Sequence, residues 1–169
     1  MKETPQQYIG RILGNLGKAR PLAVQSATPK RLERLIRKVP AARLSRRPAP
    51  DRWSVGEILA HLAEAEMALS YRMRSALGES GIPILAFDQD KWAAAGRYSK
   101  RQPNHSLATF RALREENLRL LRSLKPSEWK RYGMHQERGR ETIQCMAQMI
   151  AGHDLNHIRQ IEHILDKHA

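Results

Sequence analysis

The chain has 169 residues, 41% of them hydrophobic and 28% charged, which predicts a single globular domain over residues 1–169 and excludes a disordered tail or a disulfide scaffold. Its one cysteine, Cys145, excludes an internal disulfide, an iron–sulfur site and a cysteine-rich zinc ribbon, so a metal would have to be held by His, Asp or Glu. The net charge of +13 is concentrated at one end: residues 1–52 carry 13 basic and 3 acidic side chains, residues 53–169 carry 17 and 14.

The densest basic stretch, residues 30–47, contains no aromatic side chain, so it offers no stacking platform for single-stranded nucleic acid and predicts no specific nucleic-acid partner. No run approaches the roughly 18 uncharged apolar residues that a membrane-spanning helix requires. Met1-Lys2-Glu3-Thr4-Pro5 leads into no apolar signal region, and a cytoplasmic protein without a membrane partner is predicted.

Periods of three and four dominate over alternation, which predicts an all-α fold. A first short helix is expected over residues 5–16, with Tyr8, Ile9, Ile12, Leu13 and Leu16 as its apolar face. Thr28-Pro29 supplies a cap residue followed by a first-turn proline, opening a second short helix that runs to Val39 before Pro40. Residues 43–51, rich in proline, read as an extended connection. Ser54-Val55-Gly56-Glu57 fits the capping box and starts a long helix to about Leu77. Residues 78–103, with Gly81, Pro83, Gly96 and Pro103, read as a long irregular connection covering one end of the molecule, with short helices inside it. Further helices follow over about 106–124 and 142–167. The expected architecture is a four-helix bundle with a short extra N-terminal helix.

His153-Asp154-Leu155-Asn156-His157 puts two imidazoles four residues apart on the last helix, on the same side as Met146, Met149, Ile150, Gln160, Ile161 and Ile164. Such a pair suits two ligands of one metal or two hydrogen-bonded core histidines. His61, at the edge of the apolar stripe of the long helix, adds a third inward imidazole, and three protein ligands with open positions are what a catalytic divalent metal uses. His105, His135, His163 and His168 are expected to be exposed. Asp154 is read as a surface carboxylate or a partner of a ligand, Glu57 as a cap, Glu64 as a solvated residue with a fourth-ligand role as its alternative, and Cys145 as a packed small side chain. Asp88-Gln89-Asp90-Lys91-Trp92 could bring a carboxylate or an aromatic wall over the bundle end, or form a turn plugged by Trp92.

Arg52-Trp53-Ser54-Val55-Gly56-Glu57-Ile58-Leu59-Ala60-His61-Leu62, together with Gly152-His153-Asp154-Leu155-Asn156-His157-Ile158-Arg159-Gln160-Ile161, resembles the DinB/YfiT-like superfamily of metalloenzymes. The likeness continues through residues 87–92 and 110–117 and covers most of residues 40–166. It implies a bundle, often a homodimer, in which His61, His153 and His157 hold a divalent metal, commonly zinc or nickel. It also implies chemistry on a small-molecule substrate, for the most part S-transfer or isomerisation with a low-molecular-weight thiol such as bacillithiol, mycothiol or glutathione. A cation beside a thiol lowers the sulfur's pKa and makes a nucleophile at neutral pH. A metal-dependent hydrolase built on the same histidines is the alternative, and a non-catalytic protein that binds an anionic partner through its basic segment is the second. No general base is identified.

Overall fold

A computed structural model describes residues 3–166. Helix α1 (Pro5–Leu16) forms despite Gly10 and Gly14 because Thr4 and Gln7 close a capping box: the Gln7 N–H donates to Thr4 Oγ1 (3.2 Å) and the Thr4 N–H to Gln7 Oε1 (2.9 Å). It lies along the last helix, where a side chain at Gly152 would put a Cβ 2.1 Å from the Ile12 carbonyl oxygen; only glycine permits that approach.

Helix α2 (Pro21–Ile36) departs from the expectation of a start at Thr28. Pro21 occupies its first turn, and Thr28-Pro29 sits in its interior, buried. An interior proline frees the carbonyl four residues back. Here that carbonyl, Gln25 O, accepts a bond from Arg114 Nη1 (3.1 Å), so the helix continues through the proline. A single turn, α3 (Ala41–Ser45), occupies the start of the predicted extended connection.

Helix α4 (Val55–Gly78) begins at the predicted capping box: Ser54 Oγ accepts from the Glu57 N–H (3.2 Å), and Glu57 Oε2 accepts from the Ser54 N–H (2.8 Å). The irregular stretch after it contains β1 (Ile82–Ile84), α5 (Gln89–Ala95) and a 3₁₀ turn at Tyr98–Lys100. Helix α6 (Pro103–Ser123) takes Pro103 into its first turn. Strands β2 (Tyr132–His135) and β3 (Gly139–Thr142) form a hairpin that the periodicity did not announce. In the small sheet β1 runs parallel to β2, with Ile82 opposite Gly133, and β3 runs antiparallel, with His135 opposite Gly139. Helix α7 (Ile143–Asp166) ends the described residues.

The fold is the expected four-helix bundle, of α2, α4, α6 and α7, with α1 against α7 and the sheet capping one end. Apolar side chains form two clusters. One surrounds Leu59, Phe110 and Ile158 and the other Met73, Leu121 and Ile143. Between them runs a buried polar layer centred on Arg114, whose five N–H groups are all used: Nε and Nη2 on Glu66 (2.9 and 2.8 Å), Nη1 and Nη2 on Asp154 (2.5 and 3.0 Å), and Nη1 on Gln25 O. Asn117 Nδ2 donates to Glu66 Oε1 as well (2.8 Å). Full satisfaction is what makes such a layer tolerable in a core. Among the described residues, no helix is long and apolar enough to cross a membrane.

Candidate metal centre

The capping box fixes where α4 starts, and His61 follows Glu57 by four residues, one turn deeper on the buried side. His153 and His157 come from successive turns of α7. The three rings meet: His153 Nε2 lies 3.1 Å from His61 Nε2 and 3.1 Å from His157 Nε2, and one ligand atom from each falls within 4.8 Å of the others. His61 and His157 are buried and His153 is half-buried. The two interior imidazoles read from HxxxH and the third read from α4 therefore share one point.

Protons decide what that point attracts. Burial, reinforced by the charge of His157, pushes the His61 pKa down to about 3. Burial, with a further contribution from Arg11, brings His157 to about 4, even though its bond to Gln160 works the other way. Burial and the neighbouring imidazoles hold His153 well below the ordinary range. All three rings are neutral at pH 7. His157 Nδ1 lies 2.9 Å from Gln160 Oε1, an acceptor, so the proton of His157 is on Nδ1 and its Nε2 presents a lone pair. His153 Nδ1 is buried without a hydrogen-bond partner among the described residues, and the polar contacts of that ring are those of Nε2 with His61 and His157. Trp53 leans on His61 with ring centroids 5.0 Å apart. Neutral imidazoles with converging nitrogens, one oriented by an outer hydrogen bond, form a donor set that fits a divalent cation such as zinc.

Of the other candidates, Asp88 and Asp90 line the same cavity as His61 and His153, as expected of a carboxylate over the bundle end, and the rest fall elsewhere. Glu57 keeps its capping role and binds Arg47 (Nε–Oε2 2.9 Å). Glu64 is neither solvated nor aimed at the histidines: it accepts from Tyr98 Oη (2.7 Å) and pairs with Arg101. Asp154 is no surface carboxylate; it is fully buried against Arg114, and burial raises its pKa. Cys145 is half-buried and its thiol is pushed up by burial, away from nucleophilic use. Asp88 caps α5 through the N–H groups of Asp90 and Lys91 (3.0 and 3.1 Å). Trp92 is exposed and stacks on Phe87 (4.2 Å), so Phe87 supplies the aromatic wall and Trp92 is no plug. His105 and His163 are exposed as expected, and His168 lies outside the described residues.

His135 is the main correction. Expected on a polar loop, it is 3% exposed on β2 and lines a cavity of about 530 Å³ that opens onto His61 and His153. The cavity's other walls include Tyr8 of α1, Ala65, Leu69 and Arg72 of α4, and Met146, Met149 and Ile150 of α7, with Phe87 and Asp88 beside them. Gly139, with φ of 76°, is the sequence signal that could have revealed the hairpin, since a positive-φ glycine between two short runs marks such a turn.

Comparison with known proteins agrees with this geometry. A protein of Oceanobacillus iheyensis, named as an inferred metal-dependent hydrolase, is 30% identical over 110 residues, 64% of this chain and 63% of that one; the match thus spans just under two thirds of the relative's length. A Bacillus mycoides protein with the same style of name is 24% identical over 139 residues, 82% and 80% of the two chains. Among solved structures, YfiT of Bacillus subtilis, described as an inferred metal-dependent hydrolase with an unusual four-helix bundle topology, superposes with a TM-score of 0.81 at 20% identity, over 98% of this chain and 90% of that one. A mycothiol-dependent maleylpyruvate isomerase gives 0.64 at 14% identity, over 88% and 60%. These two likenesses are of fold. The model of the DinB superfamily matches residues 26–161, a span that takes in α4, α6 and all three histidines, and the chain belongs to that superfamily.

Proposed function

We propose that the protein is a divalent-metal-dependent enzyme in which His61, His153 and His157 hold the ion and a low-molecular-weight thiol is the nucleophile in S-transfer to a small electrophile. The observation that carries this is the convergence of three neutral imidazoles, with His153 3.1 Å from each of the other two and with His61 and His153 on the wall of a 530 Å³ cavity. When bound, zinc, nickel or a similar cation supplies positive charge that lowers the pKa of a thiol or water sharing its coordination. Gln160 keeps the His157 lone pair on Nε2, Trp53 closes one side of His61, and Met146, Met149 and Ile150 make a wall that excludes water. Glu57, Glu64 and Asp154 are each held by an arginine, so none is free to take a proton from water, whereas a thiol with an ordinary pKa near 8.5 needs no strong base once a cation is close. The names of the curated relatives favour a second reading, hydrolysis at the same histidines.

The test begins with elemental analysis of anaerobically purified protein, which should give one divalent ion per chain; none would return the histidines to a structural role and favour the non-catalytic reading. Metal-loaded protein should then consume 1-chloro-2,4-dinitrobenzene or a similar electrophile faster with bacillithiol, mycothiol or glutathione than the thiol does alone, and His61→Ala should remove the difference. Hydrolysis of activated esters with no thiol acceleration would hand the site to the hydrolase reading.

A further inference from the structure

One wall of the cavity carries, among the described residues, a buried donor without an acceptor and a guanidinium without a carboxylate. His135 Nδ1 accepts two backbone N–H groups in the hairpin turn, from Glu137 (3.2 Å) and Arg138 (3.3 Å). A nitrogen that accepts bears no proton, so the ring's proton is on Nε2. That N–H is buried and has no hydrogen-bond partner among the described residues, a rare condition for a buried donor.

Arg72 presents the second donor set. It is half-buried and lines the same cavity. Its guanidinium donates to Leu85 O (2.6 Å) and lies over the Phe87 ring (5.3 Å), but no carboxylate pairs with it among the described residues. Arg138, the other cation of this wall, is already matched: its Nε and Nη2 donate to the two oxygens of Glu141 (2.5 and 3.2 Å). Burial and the positive charge of Arg138 both disfavour the charge on Arg72, which an incoming anion would relieve. The acids at the mouth, Glu3, Asp88, Asp90 and Glu137, are exposed, where solvent screens them; Glu3 is also paired with Arg11.

Helix geometry gives the distance to the histidines. Arg72 follows His61 by eleven residues on α4, which turns back to within about 20° of the same direction at a rise of about 16 Å. Ala65 and Leu69 fill the interval on that face. An arginine stem leans towards its helix N-terminus, so the gap between guanidinium and imidazoles is on the order of 10 Å.

We infer that Arg72 and His135 form a carboxylate-binding subsite, and that the ligand of this cavity is an elongated molecule with one end at the three histidines, an apolar middle against Leu69, Met146 and Ile150, and an anionic carboxylate end. The subsite stands on Arg72 and His135; the placement of the ligand's other end rests on the metal-dependent reading above.

The test uses two probes that differ only at one end, 8-mercaptooctanoate and 8-mercaptooctan-1-ol, titrated calorimetrically into zinc-loaded and metal-free protein, with zinc content measured on the same samples. The acid should bind at least tenfold tighter than the alcohol in both forms. Arg72→Met, which keeps the apolar stem, should reduce that preference to less than threefold, and Arg72→Lys should restore part of it. His135→Phe should weaken the acid several-fold and leave the alcohol unchanged. Equal affinity of the two probes for the wild-type protein would overturn the inference, as would an undiminished preference in an Arg72→Met protein with a native urea midpoint. If the wild-type chain takes up no zinc and still prefers the acid, the metal reading falls and the subsite stands.

Discussion

Two glycine-to-alanine changes, one in α7 against α1 and one on the open side of α1, should move stability in opposite directions. At Gly152 an added Cβ would lie 2.1 Å from the Ile12 carbonyl oxygen and 2.9 Å from the Ile12 carbonyl carbon and Cγ2. Ordinary contact begins at 3.4 Å, so α1 would have to retreat from α7 by about 1 Å against backbone, which cannot rotate away. Overpacking of this kind costs about 1–3 kcal/mol, offset by up to about 1 kcal/mol from the better helix propensity of alanine. At Gly14, inside α1, an added Cβ meets nothing within 4 Å, and the change should gain about 0.5–1 kcal/mol. For a chain of this size 1 kcal/mol moves Tm by about 2–4 °C. Gly14→Ala should therefore raise Tm by about 1–4 °C and Gly152→Ala lower it, followed by circular dichroism on metal-free protein. Gly152→Ala should also loosen the wall formed by Tyr8, visible as faster amide exchange in α1. A Gly152→Ala protein as stable as Gly14→Ala would refute the docking of α1 on α7.

Gln160→Leu should weaken metal binding about 10–100-fold, the usual loss when a ligand's outer hydrogen bond is removed, read by chelator competition; unchanged affinity would mean that Gln160 does not orient His157. Stability of the metal-free protein should fall as pH drops below about 6.5, because the unfolded chain then binds protons that the buried His61, His153 and His157 refuse until about pH 4 or lower. The slope should approach about 1.4 kcal/mol per pH unit for each histidine between those limits, and urea midpoints that stay flat from pH 7 to 5 would contradict neutral burial. In the basic segment, Lys30, Arg34 and Arg37 are exposed, while Arg31 is paired with Glu162 (2.7 Å). Changing those three to Gln should abolish whatever weak, salt-sensitive attraction to DNA the chain has without changing metal content; sequence-selective binding at physiological salt would contradict this.

Where the chain announces its structure, the signal is local. Ser54 and Glu57 mark the start of α4 because both halves of the capping box lie within four residues, and the histidines of α7 were identifiable because a period of four places them beside Met146 and Ile150. What was hidden depends on partners distant in sequence. Pro29 reads as a helix start, but its real tolerance comes from Arg114, 85 residues later, which takes up the carbonyl the proline frees. Asp154 reads as a surface acid for the same reason, since its compensating charge is on another helix. His135 was missed because strands of four residues are too short for alternation to show.

The Arg114 layer also constrains how such a chain can change. One guanidinium joins α2, α4, α6 and α7 through Gln25, Glu66 and Asp154, so replacing Arg114 strands two buried carboxylates and replacing either acid leaves buried guanidinium N–H groups without an acceptor, a loss of about 3–5 kcal/mol in the first case and about 1–3 kcal/mol in the second, set against a typical total of about 5–15 kcal/mol. Single-step drift at these positions is closed, and only concerted replacement of all three charged residues by apolar ones would pass. Part of the cavity lining carries no such interlock: Ala65 and Met149 are half-buried and can be exchanged one at a time. A lineage built on this bundle can therefore vary that part of its cavity while its helices stay in register and its three imidazoles stay together.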